Sequence, residues 1–243
     1  GFIMINSATM SKASGSEPYL KTQIAAFSMG LAALFLLVMI DYDIFGSLYI
    51  PIYVISVALL VYALVRPVSA SEWGDVRSWV SIGPIVFQPS EVVKFSVIIS
   101  LSKYIDIHKE NINDPSVLIK ILIFALVPVA LILMQPDLGT ALVFIFFIAV
   151  MLFIAGVNRK YIAAVLFTLL ALLVAGLIIL PQMMENYVPK ENYMLDRIVA
   201  FLYPELDPEG IGYQVIQSKT AIGSGLLHGR GINNGVQNQL GYL

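Results

Sequence analysis

RSWVSIGPIVFQPSEVVK, residues 77–94, starts polar and aromatic, turns at Gly83-Pro84, and carries a Gln-Pro-Ser-Glu run into an apolar segment. Proline suits the first turn of a helix, where its missing N–H would have no partner anyway, so Pro89 marks a helix start. Ser90 is a capping residue type, and Glu91 sits favourably at a positive helix N-terminus. The pattern predicts a helix from about Pro89 to Tyr104. Glu91 and Lys94 are three apart and share one face of it. An acid and a base thus enter a segment that otherwise suits a bilayer. An ionisable side chain at the bilayer centre costs about 2.5–3.5 kcal/mol on insertion scales and is by default a functional candidate.

Composition supplies the bilayer. Of 243 residues, 58% are hydrophobic and only 12% charged, with a mean hydropathy of +0.85. An average soluble domain carries about 25% charged residues. Such a chain cannot cover itself with a polar surface, and the composition points to an all-α, polytopic integral membrane protein. A net charge of -2 carries no footprint for nucleic acid. The absence of cysteine excludes disulfides, thiolate nucleophiles and Cys-ligated metals. His108 and His228 are too far apart for a histidine metal motif, so no protein-only metal site is expected.

A spanning helix needs about 20 predominantly apolar residues. The chain offers six such runs: Thr22 to Ile40, Ile44 to Val65, Pro89 to Tyr104, Ser116 to Met134, the run that follows Gln135-Pro136-Asp137-Leu138-Gly139-Thr140 as far as Val157, and Tyr161 to Leu180. Residues 1–10 read as the tail of a partial first helix. Residues 1–181 are therefore expected to form the transmembrane bundle. Residues 182–243 mix Gly, Pro, amides and charges, and read as one long loop with amphipathic or re-entrant helices, one near Gly210 to Thr220. Both ends read as truncations. Lys103, Lys109, Lys120, Arg159 and Lys160 alternate in topology with Lys12, Lys21, Arg66 and Arg77. The positive-inside rule assigns the first set to the cytoplasm. The 77–94 stretch, the QPDLGT turn and the long loop then all face outward.

These three clusters hold the candidate chemistry. They supply carboxylates (Glu91, Asp137), cations (Arg77, Lys94, Arg197) and amides (Gln88, Gln135, Gln214, Gln217). A site for an anionic amphiphile needs such groups beside an apolar groove. Each residue also has a plain structural explanation. Glu91 and Lys94 suit a neutralising ion pair, Asp137 a helix cap, Arg197 a surface pair with Asp196, and Trp79 an interfacial anchor.

The stretch at 77–94 resembles the first signature of the SEDS family (shape, elongation, division and sporulation). MQPDLGTALVF, from Met134, is similar to its second. DRIVAFLYPELDPEGIGYQVIQSKTAIGSGLLHGRGINNGVQNQL, from Asp196, resembles its third, closer to the rod-shape branch than to the division branch. Three signatures in order make the resemblance specific across the whole chain. One departure stands out: Asp75-Val76-Arg77-Ser78 offers a single arginine where many members have two.

The resemblance implies a membrane glycosyltransferase that polymerises lipid II, the undecaprenyl-pyrophosphate-linked disaccharide peptide, for cell-wall elongation and rod shape. It implies a class B penicillin-binding protein and the elongation machinery as partners, at the outer face of the cytoplasmic membrane. A sugar hydroxyl would attack an anomeric carbon and expel the lipid pyrophosphate, with a carboxylate as general base. The resemblance places that aspartate beyond Leu243, which leaves residues 1–243 alone expected to be inactive. Glu91, Lys94 and Asp137 would support it. Arg77, Trp79, Gln88, Lys94, Arg197, Gln217 and Ser218 would contact substrate. Cationic side chains, or a divalent cation such as magnesium or manganese, would stabilise the leaving group, with no covalently bound cofactor. A division-type polymerase, a precursor flippase, and a non-catalytic scaffold for a penicillin-binding protein stand as alternatives.

Overall fold

The computed structural model describes residues 1–10, 15, 17–66, 78–83, 85–184 and 193–242. Among these residues the architecture is helical except for one short hairpin. In chain order the helices are α1 (Phe2–Thr9), α2 (Glu17–Val38), α3 (Tyr42–Ser47) and α4 (Tyr49–Val65). The hairpin β1 (Val80–Ile82) and β2 (Ile85–Phe87) follows, then α5 (Pro89–Ile107), α6 (Pro115–Met134), α7 (Leu138–Ile154) and α8 (Arg159–Met184). The last part holds α9 (Tyr193–Leu202), α10 (Tyr213–Gly225) and the short α11 (Val236–Gln239). The six expected spans appear as α2 and α4 to α8. This is the helix complement of an all-α, polytopic membrane protein. Helices α2 and α6, of 22 and 20 residues, are long and apolar enough to cross a membrane, and α4 and α7 are shorter apolar helices. At ~1.5 Å per residue, α2 is about 33 Å long, close to a hydrocarbon core of ~30 Å.

The chain divides into two compact units, Tyr42–Tyr187 and Gly1–Asp41 with Val188–Leu243. The first unit has a dry core of Leu60, Val93, Val97, Leu101, Ile121, Ala125, Ala141 and Phe144, all fully buried. Helices α4 and α5 form its most extensive pairing. Ser56, Ala63 and Ser100 are buried on these two helices, and small residues let backbones approach closely where lipid supplies no hydrophobic drive. The Ser100 hydroxyl donates to the Tyr49 carbonyl across this interface at 2.9 Å.

Helix α6 contains the buried Pro128. Proline has no N–H, so the carbonyl four residues earlier, Phe124 O, loses its helical donor. The Tyr53 hydroxyl of α4 supplies a replacement, donating to Phe124 O at 2.7 Å. The Tyr53 ring stacks on Phe124 with centroids 3.8 Å apart, and Tyr104 of α5 stacks on Phe124 at 4.7 Å. One aromatic pile thus joins three helices at the point where α6 lacks a backbone bond.

Two sequence expectations change. The segment before Gln88 reads as a polar loop, whereas Val80–Ile82 and Ile85–Phe87 pair as an antiparallel hairpin, Val80 with Phe87 and Ser81 with Val86. Gly83 takes a φ of +62° at its tip, a conformation open to glycine, and the β-branched residues on both sides favour strands. In the second unit, α9 was not anticipated, and the interfacial helix expected at 210–220 runs from Tyr213 to Gly225. The bend before it is locked by Asp207, whose carboxylate accepts from the Gly210 and Ile211 amides, each at 3.1 Å. A Cβ on Gly210 would lie 2.1 Å from Asp207 Oδ2, and one on Gly212 would lie 2.1 Å from the Pro204 carbonyl oxygen. Gly212 therefore excludes a side chain, and one at Gly210 would push the Asp207 carboxylate off its amide bonds.

Tyr53→Phe should destabilise the full-length protein by about 1–3 kcal/mol, because it leaves the Phe124 carbonyl unsatisfied in an apolar medium. Pro128→Ala restores the missing N–H. The Tyr53→Phe loss should therefore shrink to less than half in that background, read as Tm in detergent micelles.

Candidate functional site

The polar end of the first unit is built from two helix starts. Gln88 is the N-cap of α5, with Pro89 at the first helical position. Its carbonyl accepts from the Glu91 N–H at 3.1 Å, while its side chain makes no capping bond. Ser90 is fully buried in the first turn and its hydroxyl has no partner there, so the cap falls two residues before the serine that the sequence suggested. Asp137 is the N-cap of α7. Its Oδ1 accepts from the Thr140 N–H at 3.1 Å and its Oδ2 accepts from the Thr140 hydroxyl at 2.7 Å.

A further bond joins the two starts: Gln88 Nε2 donates to Asp137 Oδ2 at 2.6 Å. The half-buried Asp137 carboxylate therefore accepts three hydrogen bonds and brackets α5 to α7. Both helix N-termini carry partial positive charge, which suits the carboxylate between them. Gln135, just before this bracket, is fully buried and donates from Nε2 to the Leu60 carbonyl of α4 at 3.0 Å.

Glu91 and Lys94 form an ion pair at 2.8 Å on the α5 surface. The Glu91 side chain is 57% exposed and that of Lys94 is 25% exposed, so the acid faces outward over a half-buried base. In water such a pair contributes about 0–1 kcal/mol. Its value here lies in carrying Lys94 into the apolar surface with its charge balanced.

Trp79 precedes β1 and is 37% exposed. Arg77 lies outside the described residues. Trp79, Gln88, Glu91, Lys94 and Asp137 all belong to the first unit, and Gln88 is bonded directly to Asp137. Arg197, exposed on α9, and Gln217 and Ser218, half-buried on α10, belong to the second unit. In that unit, the Asn233 N–H donates to Ser7 Oγ of α1 at 2.9 Å and ties the terminal loop to the first helix. Gln135, one of the candidate amides, serves as a buried link to α4, and Thr140 is a supporting residue that the sequence reading missed. The Asp-x-x-Thr spacing, a helix-start pattern, was the signal for Thr140.

Among the described residues, no group of three or more His, Cys, Asp or Glu could hold a metal ion. Both Asp137 oxygens are engaged by Gln88 and Thr140, and Glu91 is engaged by Lys94. These carboxylates do not fit a protein-only cation site.

The chain matches, over residues 1–243, the family model FtsW/RodA/SpoVE, described as cell cycle protein. It is 32% identical to "Probable peptidoglycan glycosyltransferase FtsW" of Trichlorobacter lovleyi, over 100% of the chain and 62% of that relative. It is 32% identical to the peptidoglycan glycosyltransferase MrdB of Escherichia coli K12, over 92% of the chain and 57% of the relative. Identity to the stage V sporulation protein E of Bacillus subtilis is 31%, over 98% and 63%. The chain thus spans about three fifths of the length of these curated relatives.

Among solved structures, a chain from work on the structural coordination of polymerization and crosslinking by a peptidoglycan synthase complex superposes with a TM-score of 0.67. It shares 32% identity, covering 91% of this chain and 62% of that one. The rod shape determining protein RodA of Thermus thermophilus superposes at TM-score 0.57 with 21% identity, over 99% of this chain and 90% of that one, which is a likeness of fold.

The bracket at Asp137 predicts how its variants behave. Asp137→Ala removes a helix cap and should cost about 0.5–2 kcal/mol. Asp137→Asn keeps a capping oxygen and should retain most of that stability. Thermal unfolding of the two full-length variants, compared side by side, measures the difference.

Proposed function

The chain belongs to the FtsW/RodA/SpoVE family of cell cycle proteins, and from that premise we propose that the whole protein is a peptidoglycan glycosyltransferase that polymerises lipid II. The observation that carries this reading is the outward-facing pair Glu91–Lys94 beside the Gln88–Asp137 bracket. There a half-buried ammonium, balanced by Glu91, lies at a partly apolar end of the bundle where two helix N-termini meet. A lipid-linked pyrophosphate is an anion on an apolar chain, and such an end suits its two parts. Relatives named as peptidoglycan glycosyltransferases, and a solved neighbour from a peptidoglycan synthase complex, support the same reading.

In this proposal Lys94 stabilises negative charge on the leaving pyrophosphate, as preorganised cations do wherever charge develops. Glu91 orients Lys94. Asp137 shapes the wall, since its lone pairs are already committed to Gln88 and Thr140. Trp79 would extend the substrate contacts within the first unit, and Arg77, Arg197, Gln217 and Ser218 remain candidates from the sequence. The general base is a carboxylate contributed by a segment following Leu243. Any divalent cation, magnesium or manganese, would have to arrive with the pyrophosphate, because Asp137 and Glu91 are already engaged.

We further assign the protein to the bacterial cytoplasmic membrane, with residues 1–181 as the bundle and 182–243 as an extracytoplasmic loop. Its partner would be a class B penicillin-binding protein of the elongation machinery. The QSKTAIGSG and NNGVQNQL patterns favour the rod-shape branch. The division branch is the second reading, supported by the several relatives named FtsW.

Full-length protein, purified with its penicillin-binding partner and given labelled lipid II, should form glycan chains visible by gel. Glu91→Ala and Lys94→Ala should each reduce chain formation at least about tenfold at unchanged abundance, the loss of ~1.4 kcal/mol or more of transition-state stabilisation. Normal polymerisation in both variants would remove these residues from the assignment. Absence of polymer from the unmodified protein would overturn the proposed activity. Depletion separates the branches: rounded cells indicate the rod type, filaments the division type.

A further inference from the structure

The other end of α5 carries a second charged cluster that the proposed activity does not use. Lys103 Nζ lies 3.4 Å from Asp106 Oδ2, and Lys109 Nζ lies 3.1 Å from Asp106 Oδ1. Two ammonium groups share one carboxylate, so the trio keeps a surplus of one positive charge. Beside it a cavity of about 360 Å³ opens between α5 and α7, lined by Ile105, Asp106, Lys109, Met151, Ile154 and Ala155 among others. That volume falls within the roughly 300–1,000 Å³ of small-molecule sites.

The surroundings keep the same sign. The end of α5, the start of α6 and the α7–α8 turn add Lys120, Arg159 and Lys160 to Lys103 and Lys109. The carboxylates of these segments are Asp106, Glu110 and Asp114, with Asp43 on the adjoining α3. Asp114 is committed to capping α6, where it accepts from the Ser116 N–H at 2.9 Å. The cavity is thus apolar on the α7 side, while its other wall carries Asp106 and Lys109 beside Ser102 and Ile105, with Lys103 next to that wall through its bond to Asp106, at the level where α5 and α7 end.

We propose that this cavity is a binding site for an anionic phospholipid, with the phosphate on Lys103 and Lys109 and an acyl chain laid over Ile105, Met151 and Ile154. Basic pockets between transmembrane helices suit anionic head groups, and lysine stems can lie on apolar surface while their ammonium groups reach the phosphate. A phosphatidylglycerol head brings no cation of its own. A phosphatidylcholine head would set its quaternary ammonium against both lysines. Asp106 competes with the lipid phosphate for the same two ammonium groups. The inference stands independently of the proposed glycosyl transfer.

Native mass spectrometry of the full-length protein tests it, with dioleoylphosphatidylglycerol and dioleoylphosphatidylcholine offered at equal concentration. The glycerol lipid should be retained preferentially, by about fivefold for each lysine engaged. Lys103→Gln with Lys109→Gln should abolish the preference, and Asp106→Asn should increase it. Ala155→Phe fills the cavity without touching a charge and should lower retention of the glycerol lipid. Equal retention of the two lipids, or a preference that survives the double lysine variant, overturns the proposal. So does unchanged retention in Ala155→Phe. Capture of an oligoglutamate peptide without any lipid preference also overturns it, in favour of an acidic protein partner.

Discussion

A helix in hydrocarbon must satisfy its own backbone, because no water is present to do it. Pro128 breaks that rule in the middle of α6, and the packing of the first unit repairs the break. The Tyr53 hydroxyl meets the orphaned Phe124 carbonyl, and the ring that carries it stacks on Phe124 itself. Helix α4 can deliver this hydroxyl only in one register against α6. Tyr104 then continues the stack from α5. A single missing N–H therefore helps to fix the relative placement of three helices, in a medium where apolar burial discriminates poorly between packings. Ser100 to Tyr49 and Gln135 to Leu60 act in the same way, as polar pins between apolar surfaces.

Once α4, α5 and α6 are pinned, the tight turn from α6 sets α7 beside α5 with the same polarity. Their N-termini then meet, and two positive helix ends side by side would repel. Asp137 answers this by placing one carboxylate between them, capping α7 and accepting from the α5 cap residue Gln88. The charge of Asp137 is therefore consumed in holding the architecture. That leaves Lys94, balanced by an acid more exposed than itself, as the cation of this region best placed to meet a ligand.

Much of this was legible in the sequence. Composition and the spacing of apolar runs gave the helices, because in a bilayer length and hydropathy are the dominant constraints. Pro89 and Asp137 marked two helix starts through local backbone chemistry, which needs no tertiary information. The Glu91–Lys94 pair followed from i,i+3 geometry for the same reason. The Gln88–Asp137 bond, 49 residues apart in sequence, was not legible, since nothing local says which two helix starts will meet. The hairpin at 80–87 was hidden because two three-residue strands are too short for a periodic signal. Helix α9 was obscured by its mixture of charges and apolar residues, a mixture that a helix resolves into faces and a linear reading does not.

The two ends of α5 show how the same residue types acquire different roles from their surroundings. At the start, one acid and one base pair one-to-one, and the neighbouring carboxylate is held by uncharged donors. Little charge is left over, and what remains is directional: a half-buried ammonium beneath an exposed carboxylate. At the far end two ammonium groups compete for one carboxylate, next to an opening between helices that no side chain fills. The surplus there is net charge, which favours an anion of any orientation, and the apolar wall of α7 adds a requirement for a hydrocarbon tail. The proposed binding of a lipid-linked anion at one surface, and of an anionic phospholipid at the other, would use this asymmetry. A balanced pair selects by geometry, and an unbalanced trio selects by charge.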